Sequence, residues 1–319
     1  MKIVVLDGYC LNPGDLSWKG FEELGECVVY ERTKPEEILD RAKNAEVLLT
    51  NKTVSTAELI EKLPDLKYIG VLATGYNVVD LEAAASHHIV VTNIPAYSTE
   101  SVAQLVFAHI LNITTSVNHY AEQSRQGVWS QKEDFSYCDT QLTELFGKKI
   151  GIVGLGNIGR AVARIAKAFG MIVYACTSSN ISRLPAGTIK VSIDVLFREC
   201  DVVTMHCPLR ENNHGIVNAS LLETMKPTAI FINTARGQLV NEQDLADALN
   251  SGKLCAAALD VMSLEPPTFD NPLLKARNCF ITPHIAWASF DARERLMIQA
   301  VANLQAFLKG APVNVVSYK

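Results

Sequence analysis

The stretch Gly154-Leu155-Gly156-Asn157-Ile158-Gly159 decides the fold. It follows an apolar run at 149–153 and opens a helical run at 160–169. Alone, G-x-G-x-x-G is a weak pattern. Between a buried strand and a helix it signals a tight turn, a close approach of backbone to a pyrophosphate, and a positive helix end aimed at it. The ordinary alternative, a structural glycine turn, belongs to the same α/β architecture.

Working outward, runs at 149–154, 172–176, 202–206, 229–234, 256–261 and 279–282 are largely apolar, as strands covered on both faces are. Upstream, 2–7, 47–50, 67–72 and 89–92 read as strands too. Between them lie a helix at 56–63, opened by the capping box Ser55-Thr56-Ala57-Glu58, and a helix at 80–88 whose last turn carries His87 and His88. Such alternation implies parallel sheets. A long periodic helix is expected over 99–126, then a break at Gly127-Val128-Trp129-Ser130 and an irregular stretch through Leu142. The chain closes with a helix at 291–308, ended by Gly310. That lone helix needs a surface to cover, and the first series offers one. The expected fold is therefore α/β with two doubly wound parallel-sheet domains. One is a Rossmann dinucleotide-binding domain at 99–288, and the other is a discontinuous flavodoxin-like substrate domain made of 1–98 and 289–319.

Composition narrows the function. The chain has 319 residues, 20% of them charged, and a net charge of -5. This provides no basic surface for nucleic acid and no polybasic strip for an anionic membrane. No uncharged apolar run reaches the roughly 18 residues of a spanning helix, and Asp7 interrupts the first apolar run before an export signal could form. A cytoplasmic protein is expected. The 8 cysteines form no C-x-x-C pair and lack the histidine spacing of a zinc site, so thiols in a reducing compartment are expected and no metal.

Three chemistry-bearing residues follow successive strands. Arg236 stands in Asn233-Thr234-Ala235-Arg236-Gly237, Glu265 in Leu264-Glu265-Pro266-Pro267, and His284 in Thr282-Pro283-His284-Ile285-Ala286-Trp287. Each has a bland reading: a surface ion pair, a turn residue before prolines, a core imidazole. Together they leave the carboxyl ends of three strands, the edge where open α/β sheets bind ligands. Hydride delivery to a ketone carbon leaves an alkoxide, which takes a proton from a group titrating near neutrality, as histidine does. A glutamate within reach favours the imidazolium, and a guanidinium fork clamps a 2-oxo acid.

With these residues in place, the sequence resembles the D-isomer-specific 2-hydroxyacid dehydrogenases over nearly its whole length, and within them most closely the glycerate dehydrogenase/hydroxypyruvate reductase branch. The branch resemblance rests on Leu6-Asp7-Gly8, Asn12-Pro13-Gly14-Asp15-Leu16-Ser17-Trp18, Phe135-Ser136-Tyr137-Cys138-Asp139-Thr140 and Trp287. It implies His284 as acid/base, Glu265 as its partner, Arg236 as substrate clamp, and Ala73, Thr74 and Gly75 as a loop whose N–H groups bind the substrate carboxylate. It further implies that Val102, Gly154, Gly156, Asn157, Ile158, Gly159, Thr177, Ser178, Cys207, Pro208, Thr234, Ala235, Arg236, Asp260 and His284 border the cofactor, with Asp260 on the nicotinamide amide. A homodimer through the segment that starts at Thr99 is also implied. The substrate expected is hydroxypyruvate/glycerate, with glyoxylate. A D-lactate dehydrogenase or broad 2-oxo acid reductase is the alternative enzyme, and a nicotinamide-sensing corepressor-like scaffold the alternative of another class.

One departure affects the cofactor. The strand at 172–176 ends Thr177-Ser178-Ser179-Asn180, without the carboxylate that holds the ribose hydroxyls of NAD. NAD is expected, and NADP stays open because the hydroxyls there, with Arg183, can meet a 2′-phosphate.

Overall fold

A computed structural model describes residues 1–317. The chain divides into two compact units, 1–98 with the C-terminal segment from 288, and 99–287.

The smaller unit is built on five parallel strands, β1 (Lys2–Val5), β2 (Glu26–Val29), β3 (Val47–Thr50), β4 (Tyr68–Val71) and β5 (Val90–Thr92), in the order β2-β1-β3-β4-β5. The order reverses between β1 and β3, the position where such sheets open a crevice. There the Asp7 carboxylate accepts from the N–H groups of Asn51, Lys52 and Thr53 at 2.8, 2.6 and 2.8 Å, so an internal anion fastens the turn after β3. The core of this unit includes Leu6, Leu48, Ile60, Ile69 and Val91. Helix Phe290–Leu308, capped by Ser289, returns to it: Arg293 grips Asp15 with two nitrogens at 2.6 Å each, and Asn303 donates to Asn93 O at 3.0 Å. Val316 N–H then donates to Val91 O at 2.9 Å, adding the tail to the sheet edge.

The larger unit holds seven parallel strands, β6 (Lys149–Val153), β7 (Ile172–Cys176), β8 (Thr188–Lys190), β9 (Val202–Met205), β10 (Ile230–Asn233), β11 (Ala256–Leu259) and β12 (Cys279–Ile281). Their order is β12-β11-β10-β9-β6-β7-β8, so this sheet reverses between β6 and β9. Apolar cores cover both faces, one around Phe197, Phe231 and Leu245, the other around Phe107, Val162 and Ile232. That two-sided burial explains the continuous apolar runs of the central strands.

Three elements differ from the sequence reading. β2 and β8 were not expected; both are short, and β8 is half-exposed at an edge, so neither carries the apolar signature of a central strand. The helix expected over 99–126 is two helices, Thr99–Thr115 and Val117–Arg125. Thr114 and Thr115 turn their hydroxyls onto the carbonyls of Ile110 and Leu111 at 2.8 and 2.5 Å, and Ser116 adopts a left-handed φ of 50°. Back-bonding of this kind competes with the helix ladder and bends it.

Candidate active site

The glycine turn stands between β6 and helix Asn157–Ala168. Gly154 has φ 94°, and a Cβ there would sit 2.6 Å from Cys207 N, so only glycine lets the two strand ends meet. A Cβ on Gly159 would run into the Gly154 carbonyl, whereas one on Gly156 meets nothing within 4 Å. Open space thus lies over the helix start, where Gly156 supplies no side-chain cap and the first turn holds no acid. Those unclaimed N–H groups fit an anion, as a pyrophosphate requires.

Beside the cradle, Asn157 is exposed and Ile158 half-buried. Burial pushes the Cys207 thiol up, so it stays protonated, and Pro208 O accepts from Asn213 Nδ2 at 2.9 Å. Val102 is buried on helix Thr99–Thr115. After β7, Thr177 Oγ1 accepts from Ser179 N–H at 3.2 Å, and the Lys190 ammonium donates to Ser179 O at 2.8 Å. Lys190 escaped the sequence reading because β8 itself did; the alternating Thr188-Ile189-Lys190 after Gly187 was the available signal.

The turn after β10 is shaped by buried Asn233, which accepts from Ala235 N–H at 3.0 Å and donates to Arg236 O at 2.9 Å. Arg236 is thereby presented to solvent. Gly237 lies so close to Met262 that a Cβ would strike its backbone, which locks this turn to the one after β11. Thr234 is buried, and its hydroxyl has no hydrogen-bond partner among the described residues, as fits a side chain facing a bound group.

Asp260, 1% exposed, accepts from Thr282 Oγ1 at 2.6 Å, Ile285 N–H at 2.9 Å and Ala286 N–H at 2.7 Å. It therefore holds the turn that carries His284, whose φ of 54° costs roughly 1–3 kcal/mol where nothing holds it. Glu265 Oε1 accepts from Met262 N–H at 3.0 Å, and its Oε2 lies 2.6 Å from His284 Nδ1. A carboxylate only accepts, so Nδ1 carries the proton and Nε2 is left for a reacting atom. A cavity of about 380 Å³ opens here, lined by Asp260, Met262, Glu265, Thr282 and His284 among others.

The structure thus brings Arg236, Asp260, Glu265 and His284 onto the adjoining turns after β10, β11 and β12. In the smaller unit, the turn after β4 is shaped by Thr74, which donates to Ile94 O at 2.9 Å. Asn93 donates to Thr74 O at 2.7 Å and Ala73 O accepts from Ile94 N–H at 3.0 Å. The N–H groups of Thr74 and Gly75 donate to no acceptor among the described residues. A larger concavity of about 1020 Å³ at the carboxyl edge of this sheet borders Tyr9, Arg32 and Lys52, and none of the expected site residues.

Residues 107–286 match the D-isomer specific 2-hydroxyacid dehydrogenase, NAD binding domain model. The whole chain is 50% identical over 321 residues to a hydroxypyruvate reductase of Blautia hydrogenotrophica, covering 99% of this chain and 100% of that one. The chain belongs to the D-isomer specific 2-hydroxyacid dehydrogenase family. A second family member, the glycerate dehydrogenase of Methylorubrum extorquens, is 38% identical over 318 residues, with 99% and 98% covered. Among solved structures, an acyclic imino acid reductase (Bsp5) in complex with NADPH and D-Arg superposes with a TM-score of 0.86 at 32% identity, covering 99% of this chain and 100% of that one. Membership of this dehydrogenase family accounts for the glycine cradle and the two parallel sheets together. Among the described residues, no helix is long and apolar enough to cross a membrane.

Proposed function

We propose that the chain reversibly reduces hydroxypyruvate, and glyoxylate with it, to the D-2-hydroxy acid with a nicotinamide cofactor. The observation that carries this reading is the 2.6 Å pair of His284 Nδ1 and Glu265 Oε2, one turn away from an arginine presented to solvent. The likeness to a hydroxypyruvate reductase over full length supports the substrate class.

When bound, a nicotinamide cofactor would supply or take up the hydride. The Gly154–Gly159 turn and the first N–H groups of helix Asn157–Ala168 would hold its pyrophosphate, and Thr177, Ser178, Cys207, Pro208, Thr234, Ala235, Val102 and Asp260 would border it. Arg236 clamps the 2-oxo acid by its planar fork. In the smaller unit, the N–H groups of Thr74 and Gly75, beside Ala73, suit a carboxylate. His284 gives its Nε2 proton to the substrate oxygen as the ketone becomes an alcohol, and Glu265, holding Nδ1–H, partners the imidazolium until that proton is passed on and leaves a neutral, oriented imidazole afterwards.

In finer detail, the cofactor site accepts NADPH as well as NADH. No carboxylate follows β7 to repel a 2′-phosphate, and the Lys190 ammonium stands at that loop. The protein works in the cytoplasm, with its eight cysteines free. It is a homodimer, its interface including the exposed Val117, Trp129, Phe135, Leu142 and Phe146.

Oxidation of NADH and of NADPH with hydroxypyruvate, glyoxylate, pyruvate and 2-oxoglutarate tests the reading. Hydroxypyruvate should give the highest kcat/KM. Pyruvate ahead of it points to a D-lactate dehydrogenase. Tight dinucleotide binding with no turnover of any 2-oxo acid points to a sensing scaffold.

A further inference from the structure

We propose that His109, buried on helix Thr99–Thr115, is a positioning residue that aims His284 through Thr282 and Asp260. The inference rests on the reading of His284 as the proton donor.

His109 Nε2 lies 3.3 Å from Thr282 Oγ1, and Thr282 Oγ1 lies 2.6 Å from Asp260 Oδ1. The direction of each bond follows from chemistry. A carboxylate only accepts, so the Thr282 hydroxyl spends its single hydrogen on Asp260. Its lone pair then faces His109, which must donate from Nε2–H. A neutral imidazole can do this, and burial holds the His109 pKa below its ordinary value, with the nearby Asp260 charge opposing in part.

The far end of the chain is the turn of His284. Asp260 Oδ1 and Oδ2 accept from Ile285 and Ala286 N–H at 2.9 and 2.7 Å, and His284 N–H donates to Thr282 O at 2.9 Å. Residues 282 and 285–286 thus bracket a histidine whose backbone is left-handed, at φ 54°. If the Thr282 hydroxyl rotates away, Asp260 loses one of three donors and the bracket loosens. His109 removes that freedom by occupying the hydroxyl's lone pair. It belongs to a different element from the turn, so the long helix orients the acid/base residue without lining the site. Buried as it is, His109 touches no substrate.

The test is steady-state kinetics with hydroxypyruvate on His109→Leu, His109→Gln, Thr282→Val, Thr282→Ser, the double variant His109→Leu/Thr282→Val, and His284→Ala as reference. His109→Leu should lower kcat by about tenfold or more, as misaiming a reacting group does, with KM changed less than twofold. His109→Gln, which keeps an N–H at similar reach, should recover most of kcat, and the double variant should be no slower than Thr282→Val alone. If His109→Leu does not fold, Thr282→Val against Thr282→Ser reads the same relay without touching the helix: valine slow and serine near wild type supports it, and equal rates overturn it. An unchanged kcat in His109→Leu, a glutamine variant as slow as leucine, or losses that multiply in the double variant also overturn the relay. An active His284→Ala would instead overturn the proton-donor reading, leaving the two failures distinguishable.

Discussion

Glu265 binds two partners at once: Oε1 takes the Met262 N–H at 3.0 Å while Oε2 meets His284 Nδ1 at 2.6 Å. The first contact fixes the carboxylate in its own turn, so the second aims an imidazole carried by a different turn. The side chains of His284 and Glu265 are 31% and 35% exposed, which leaves the pair reachable by a small substrate while limiting solvent screening.

His284→Ala removes the proposed proton donor. kcat for ketone reduction should fall by about 10² to 10⁴, the range of a general acid. A loss under tenfold in steady-state assays would take His284 out of the mechanism.

Glu265→Gln keeps the shape of the pair but removes its charge. A glutamine can still orient Nδ1 but meets it with a neutral group in place of a charged one. kcat for ketone reduction should fall by about tenfold, the loss of one charged hydrogen bond. An unchanged kcat in steady-state assays refutes the pairing.

Arg236→Lys exchanges a planar fork for a point charge. KM for 2-oxo acids should rise by about tenfold, the loss of one good charged hydrogen bond. Dinucleotide affinity, read by NADH fluorescence titration, should stay the same. A matching loss in NADH binding would place Arg236 on the cofactor instead.

Lys190→Ala tests the reading of the loop after β7. Affinity for NADPH should drop while affinity for NADH is unchanged, as measured by fluorescence titration of each. Equal effects on both dinucleotides would show that Lys190 merely props the loop through Ser179 O.

Acid should destabilise the larger unit through buried histidines. Burial pushes His206 down to about 3, its ring packed among protein atoms although the residue keeps some solvent contact, and it lowers His109 too. In the unfolded chain a histidine titrates near 6.5, so between there and about 3 the unfolded state binds a proton that the folded state refuses. Stability is thus full above pH 6.5 and falls as pH is lowered through that window, by at most about 1.4 kcal/mol per pH unit for one group. Urea midpoints should drop from pH 7 to pH 5, and His206→Gln should flatten that dependence. A midpoint independent of pH over this range contradicts the desolvated imidazole.

Much of the architecture was legible because parallel sheets covered on both faces write themselves as apolar runs, and glycines at 154 and 159 can be read for what a Cβ would obstruct. The edge strands Glu26–Val29 and Thr188–Lys190 were not, since half-exposed strands satisfy pairing with little apolar burial. The break at Ser116 hid behind helical periodicity, because back-bonding threonines interrupt the ladder without changing which residues face the core.

By itself the sequence determined which chemical groups leave the carboxyl ends of the strands, since strand periodicity and residue type are local properties. Only the tertiary structure decided which of them touch. Glu265 and His284 are 19 residues apart, and Asp260 and Ala286 are 26 apart. Their contacts exist because β10, β11 and β12 lie side by side in register, stacking three turns at one edge. The Asp7 clasp on the turn after β3 and the Thr282 bridge from His109 belong to the same class. Each is a hydrogen bond across long sequence separation, geometry that a residue pattern does not carry.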